Sequence, residues 1–160
     1  MIELNSKTQQ DFLNREWAQR LLNAGVDMSD AYYGIARDTM HGNRDKIFIL
    51  HMWGLEDTES FTNKIPTYTV SELLYKLHEW IYPIIDGIEY SGGLEMIKDA
   101  PFYICWYDLK NKFTEEGQSI ENYIYAEAEY PIESLASLLI QCHKKDIGLA
   151  TKDTGDISNK

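Results

Sequence analysis

The feature that most limits how this chain can fold is a run of six residues, Phe102-Tyr103-Ile104-Cys105-Trp106-Tyr107, apolar at every position. A central strand covered on both sides has this character, so the run predicts a sheet built around it. Asp99-Ala100-Pro101 joins it to Leu94–Lys98 with the spacing of a tight antiparallel hairpin. Further along, Asn122–Glu129 alternates strictly, with Ile124, Ala126 and Ala128 on one face and Tyr123, Tyr125, Glu127 and Glu129 on the other. That is the pattern of a half-solvated strand. The polar stretch Lys110–Glu121 reads as a surface loop, and the Gly92-Gly93 pair as a bulge or turn.

An earlier hairpin is predicted by the apolar and aromatic runs Ala31–Arg37 and Lys46–Trp53, which flank the polar segment Asp38–Asp45. Ile47, Ile49 and His51 face one way there, and Phe48, Leu50 and Met52 the other, which predicts a covered strand. Ser29 could instead cap a helix over Ser29–Met40, so the first arm of this hairpin has a helical alternative. Gly54–Lys64 reads as an acidic connection.

Three segments carry helical periodicity. In Lys7–Ala24 the apolar positions Phe12, Leu13, Trp17, Ala18, Leu21 and Leu22 recur at helical spacing, Ser6 with Gln9 fits a capping box, and Gly25-Val26 fits a left-handed stop with a hydrophobic clasp. The second helix has Thr69 as cap with Glu72 reaching back, and Tyr68 placed to staple onto Leu73. Its apolar face would run through Val70, Leu73, Leu74, Leu77, Trp80 and Ile81 until Pro83 closes it. The third opens at Pro131 and turns Ile132, Leu135, Ala136, Leu138, Leu139 and Cys142 inward, with Lys144 and Lys145 at its negative end.

Helices around antiparallel hairpins predict an α+β fold, with about three helices on one face of a sheet of three to five strands. A chain of 160 residues has the usual size of one domain, expected over 1–148, followed by a flexible polar tail over 149–160. Cys105 and Cys142 sit in apolar surroundings far apart in sequence, as buried free thiols rather than a disulfide framework. The opening MIELNSKTQQDF lacks the pattern of a signal peptide, and no apolar run approaches the length of a membrane span, so a cytoplasmic protein is expected. Charge is uneven. Residues 1–50 hold six Lys/Arg against seven Asp/Glu, whereas residues 51–148 hold seven against seventeen. An acidic body has no attraction for a phosphate backbone, which argues against direct nucleic-acid binding and leaves a basic protein as the favoured partner. The same charge also keeps a chain soluble.

Residues that could carry chemistry are few. His41, His51, His78 and His143 fall on separate segments, and His78-Glu79 is followed by Tyr82 where a zinc-protease helix needs its second histidine. Cys142 and His143 are neighbours on a helix and point in different directions, so they form no dyad. Gly92-Gly93 lacks the third glycine or the Lys-Ser/Thr of a phosphate loop, and Asp86-Gly87-Ile88-Glu89 lacks the alternating oxygens of a calcium loop. No cofactor or metal is therefore expected. Glu127 and Glu129 lie side by side on one strand face and, with a histidine brought near by folding, define the alternative of a small hydrolase. Exposed strands carry such pairs routinely. Tyr123 and Tyr125 share that face, giving a tyrosine-plus-acid surface able to contact another protein, while Tyr32, Tyr33, Trp53 and Trp106 read as core.

The segments 17–26 (WAQRLLNAGV), 65–74 (IPTYTVSELL) and 133–140 (ESLASLLI), interleaved with a Tyr-Tyr strand and a Trp-Tyr strand, give an order of elements that resembles small uncharacterised proteins encoded by phages, prophages and mobile elements of gut Bacteroides-type bacteria. The likeness spans Trp17 to Gly148; the long Lys110–Glu121 loop and the Lys144-Lys145-Asp146 ending depart from the group. It implies a cytoplasmic accessory protein and supplies no site residues. The sequence thus favours a non-enzymatic interaction module, in its sharper form an acidic inhibitor that imitates nucleic acid toward a basic host protein.

Overall fold

The computed structural model describes residues 2–3, 10–50, 61–111, 118–120, 124–145 and 147. The fold is α+β: three helices accompany antiparallel strands. The strands divide between two sheets, one formed by the first four strands and the other by the remaining six. The chain groups into two compact units, Met1–Leu73 and Leu74–Lys160. Among the described residues no helix is long and apolar enough to cross a membrane.

The first unit contains β1 (Ile2–Glu3), α1 (Arg15–Asn23), β2 (Tyr33–Asp38), β3 (Arg44–Ile49), β4 (Phe61–Thr67) and the start of α2 (Val70–Leu77). The sheet order is β1-β3-β2-β4. Ile35 stands opposite Ile47 on one side and Ile65 on the other, and this row packs with Phe12 and Ala18 into a core that Leu22 and Tyr33 flank. The opposite face of β2 is closed as well, since Gly34, Ala36 and Phe48 are all buried. A strand settles the Ser29–Met40 alternative.

Helix α1 starts later than Lys7: Asn14 is its cap, the side chain accepting the Trp17 N–H at 3.0 Å. Phe12 is instead drawn into a bridge with Thr69, and the Leu13 N–H donates to the Tyr68 carbonyl. Ser6 and Gln9 lie outside the described residues. The stop is as expected, with Gly25 left-handed at φ 88°, the Val26 N–H donating to the Leu21 carbonyl, and both apolar side chains buried. Strand β4 occupies part of the supposed connection. Its Pro66 is tolerated because β4 is an edge strand.

The Asp38 carboxylate, 1% exposed, holds the β2–β3 turn: it accepts the backbone N–H groups of Met40 and His41 and lies 3.0 Å from both Lys46 Nζ and His41 Nδ1. Burial pulls its pKa upward, but Lys46, the Met40 N–H and His41 together outweigh that and hold it below the ordinary carboxylate value.

The capping box of α2 is complete. The Thr69 N–H donates to Glu72 Oε1 at 3.0 Å, and the Glu72 N–H donates to Thr69 Oγ1 at 3.3 Å. The helix nevertheless ends at Leu77, where His78 turns left-handed at φ 55°. Trp80 and Ile81, expected on the helix, form a strand.

The second unit continues with β5 (Trp80–Ile81), β6 (Ile84–Ile85), β7 (Ile88–Asp99), β8 (Phe102–Asn111), β9 (Gln118–Ile120), β10 (Tyr125–Ala128) and α3 (Pro131–Lys144). Its main path runs β10-β8-β7-β5, with β6 on β7 and β9 on β8. Asp86-Gly87 makes the β6–β7 turn with both residues at positive φ, the backbone that an Asp-Gly pair favours in a tight hairpin. Gly92-Gly93 is neither bulge nor turn: it lies within an unbroken register between β7 and β8. A Cβ on Gly92 would come within 2.2 Å of the Asp108 carbonyl oxygen, so the strands approach there as only glycine allows. Lys110 and Asn111 extend β8, and 118–120 is a strand, so the supposed loop shrinks.

Helix α3 has the predicted inward face, with Ser134 and Ile140 also buried. It covers one side of the sheet. Cys105 Sγ lies 3.0 Å from Ser134 Oγ, and the Ser134 hydroxyl donates to the Ala126 carbonyl at 3.3 Å. Gln141 closes the outer edge of β10, its side-chain amide donating to the Tyr125 carbonyl and its oxygen accepting the Tyr125 N–H. An otherwise open strand edge is thereby satisfied.

Candidate functional site

Directly paired residues of an antiparallel sheet project to the same face, so the register of the second sheet states what each face carries. The face under α3 holds Cys105, Tyr107 and Leu109 of β8, all buried, with Ile81 and Ala126 beside them. The Tyr107 hydroxyl reaches the His78 carbonyl at 2.7 Å. Burial pushes the Cys105 thiol up to about 11, opposed by its bond with Ser134, and the Cys142 thiol up to about 12, with neighbouring Cys105 adding to it. Neither is a nucleophile at neutral pH.

The opposite face is open. Four successive rows cross it: Trp80–Gly93–Asp108, Glu95–Trp106–Tyr125, Ile97–Ile104–Glu127 and Asp99–Phe102. Trp80, Ile97 and Phe102 are 45%, 50% and 41% exposed, and Ile104, Trp106 and Tyr125 are half-buried. Each row also carries one carboxylate, and none carries a lysine or arginine. Lys110, in the next row with Ser91, stands 3.5 Å from the Asp108 carboxylate. The run Phe102–Tyr107 is therefore covered on one side only, and Trp106 belongs to the open face rather than to the core.

A shallow cavity of about 390 Å³ opens beside the first row, lined by Glu79, Trp80, Gly93, Glu95, Asp108 and Lys110 among others. Its shape depends on glycine. A Cβ at Gly93 would meet the six-membered ring of Trp80 at 3.0 Å, so the bare backbone lets the indole rest on β7. The Leu94 N–H donates to the Glu79 carbonyl at 2.8 Å and ties that segment down.

The other candidates are dispersed. Tyr125 donates its hydroxyl to Glu127 at 2.6 Å, which confirms a shared face; that bond, more than burial, raises the tyrosine pKa. Glu129 lies past the end of β10, and Tyr123, His51 and Trp53 lie outside the described residues. His41 serves the Asp38 turn, His78 ends α2, and His143 is exposed in the last turn of α3. Among the described residues no three His, Cys, Asp or Glu side chains gather as a metal site requires. Tyr32, expected in the core, is 48% exposed, whereas Tyr33 packs edge-on against Phe12 at 5.0 Å. Trp80, which the helical pattern places in the core, instead lines the shallow cavity. The available signal was Gly92-Gly93, which marks a place where another residue lies against a strand. No family model, curated protein or solved structure matches the chain.

Proposed function

We propose that this protein is a non-enzymatic interaction module that docks a basic protein segment on the open face of its second sheet. The observation that carries this reading is the continuous set of apolar side chains, Ile97, Phe102, Ile104, Trp106 and Tyr125, exposed or half-buried on one face of a sheet whose other face buries Cys105, Tyr107 and Leu109 under α3. Exposed apolar sets rimmed by polar groups mark protein contact sites, and aromatic residues are enriched in them. One carboxylate in every row supplies charge complementarity, which selects partners and speeds encounter. The carboxylates alternate with apolar groups and do not follow a single ridge, so the face favours docking over imitation of a nucleic-acid backbone. A cytoplasmic accessory role in a phage or mobile element accords with the resemblance of the sequence.

The test is affinity capture from a host lysate with the parent chain and with an Ile97→Ser/Phe102→Ser variant, both shown to be folded by circular dichroism. Loss of the captured basic protein in the variant is the expected result. Equal recovery by both chains counts against the reading.

A further inference from the structure

The open face is not uniform. At the end of its first row an aromatic ring, a bare backbone and several charges meet at a concavity: Trp80 rests on Gly93, and Glu79, Glu95 and Asp108 line the same cavity with Lys110. Three carboxylates against one ammonium leave the lining negative, and Lys110 already leans toward Asp108 at 3.5 Å. The volume, about 390 Å³, lies at the small end of the range for ligand pockets and suits one long side chain better than a folded surface. Trp80 is 45% exposed, so part of its ring faces the opening while the strand supports it.

Resting on the docking reading above, we propose that this cavity seats an arginine side chain of the docked segment, its guanidinium stacked on Trp80 and its N–H groups shared between Glu95 and Asp108. A planar guanidinium matches both parts of the lining: it stacks on an indole and presents a fork of donors to carboxylates, whereas a lysine ammonium offers only a point charge. The apolar rows beyond it then take the rest of the segment. Arginine is thereby the specificity element and the apolar rows supply the buried area.

The test uses the full chain and three peptides, hexaarginine, hexalysine and hexaglutamate, followed by amide and indole NMR shifts and by calorimetry at low salt. Hexaarginine is expected to shift the Trp80 indole and the Gly93 amide and to bind several-fold more tightly than hexalysine, with hexaglutamate silent. Trp80→Ala should weaken hexaarginine binding roughly tenfold. Glu95→Gln, at an exposed strand position that leaves folding intact, should weaken it several-fold. Binding of hexaarginine that is unchanged in both variants, or equal binding of hexalysine without an indole shift, overturns the arginine seat as mere charge attraction. The two proposals fail separately. If the Ile97→Ser/Phe102→Ser variant loses the captured partner while Trp80→Ala and Glu95→Gln retain it, the docking face stands and the seat falls; if all variants retain it, the docking reading falls.

Discussion

The inner strands of the two units, β2 and β8, are buried differently. In β2 both faces are closed: Ile35 packs among Ile47 and Ile65, and Gly34 and Ala36 are buried on the other side. In β8 burial alternates, so that Cys105, Tyr107 and Leu109 are enclosed while Ile104 and Trp106 are only half-covered and Phe102 is exposed. An apolar run therefore does not report how many of its faces are covered. Where the cover is missing, the same residues that would build a core become a surface for something else.

The largest effect that tests this contrast is at β8 itself. Tyr107→Ala removes a fully buried ring and the bond to the His78 carbonyl, and should cost about 3–5 kcal/mol in urea unfolding. Phe102→Ala, on the open face, should cost under about 1 kcal/mol. Similar losses for the two would break the distinction between the faces.

Glycines give the next measure. A Cβ at Gly34 would meet the buried Phe48 ring at 2.7 Å, Leu50 at 2.9 Å and the Ile65 carbonyl at 3.2 Å, so Gly34→Ala should destabilise by about 1–3 kcal/mol. At Gly93 the obstacle is the half-exposed Trp80 ring, which has room to move. Gly93→Ala should change stability by less than about 1 kcal/mol while shifting Trp80 fluorescence.

Acid should distinguish the hairpins of the two units. The pKa of Asp38 is lowered in the folded state, so its contribution is fully present above the ordinary carboxylate value of about 4 and is lost as pH falls through the lower folded value. Below about pH 4, amides of β2 and β3 should lose exchange protection before those of β7 and β8. Asp38→Asn should remove that pH dependence, and a variant that keeps it would assign the effect to another group.

The smallest effect concerns reactivity. With both thiols buried and pushed up to about 11 and 12, iodoacetamide at pH 8 should label neither Cys105 nor Cys142 in the folded chain and both after unfolding. Rapid labelling of the native protein would show that α3 does not seal its face of the sheet.

Much of the local build was legible. The box at Thr69 and Glu72, the stop at Gly25-Val26, the Pro131 helix with its inward residues and the turn around Pro101 were all present as written, because each is decided by groups within about six residues of one another. The site was legible only in fragments. Tyr125 and Glu127 were placed on one face, but Trp106 was assigned to the core and Trp80 to a helix.

What the sequence determined by itself is the set of ends, turns and apolar stripes, since those rest on short-range hydrogen bonds and backbone geometry. Tertiary structure alone decided that α2 breaks at His78, that β4 joins the first sheet and that one face of β8 stays open. The reason is physical: Trp80 and Ile81 pair as a strand with Gly93 and Gly92, thirteen and eleven residues along the chain, and whether a strand face is covered depends on which element remains to cover it. No window of sequence contains that information.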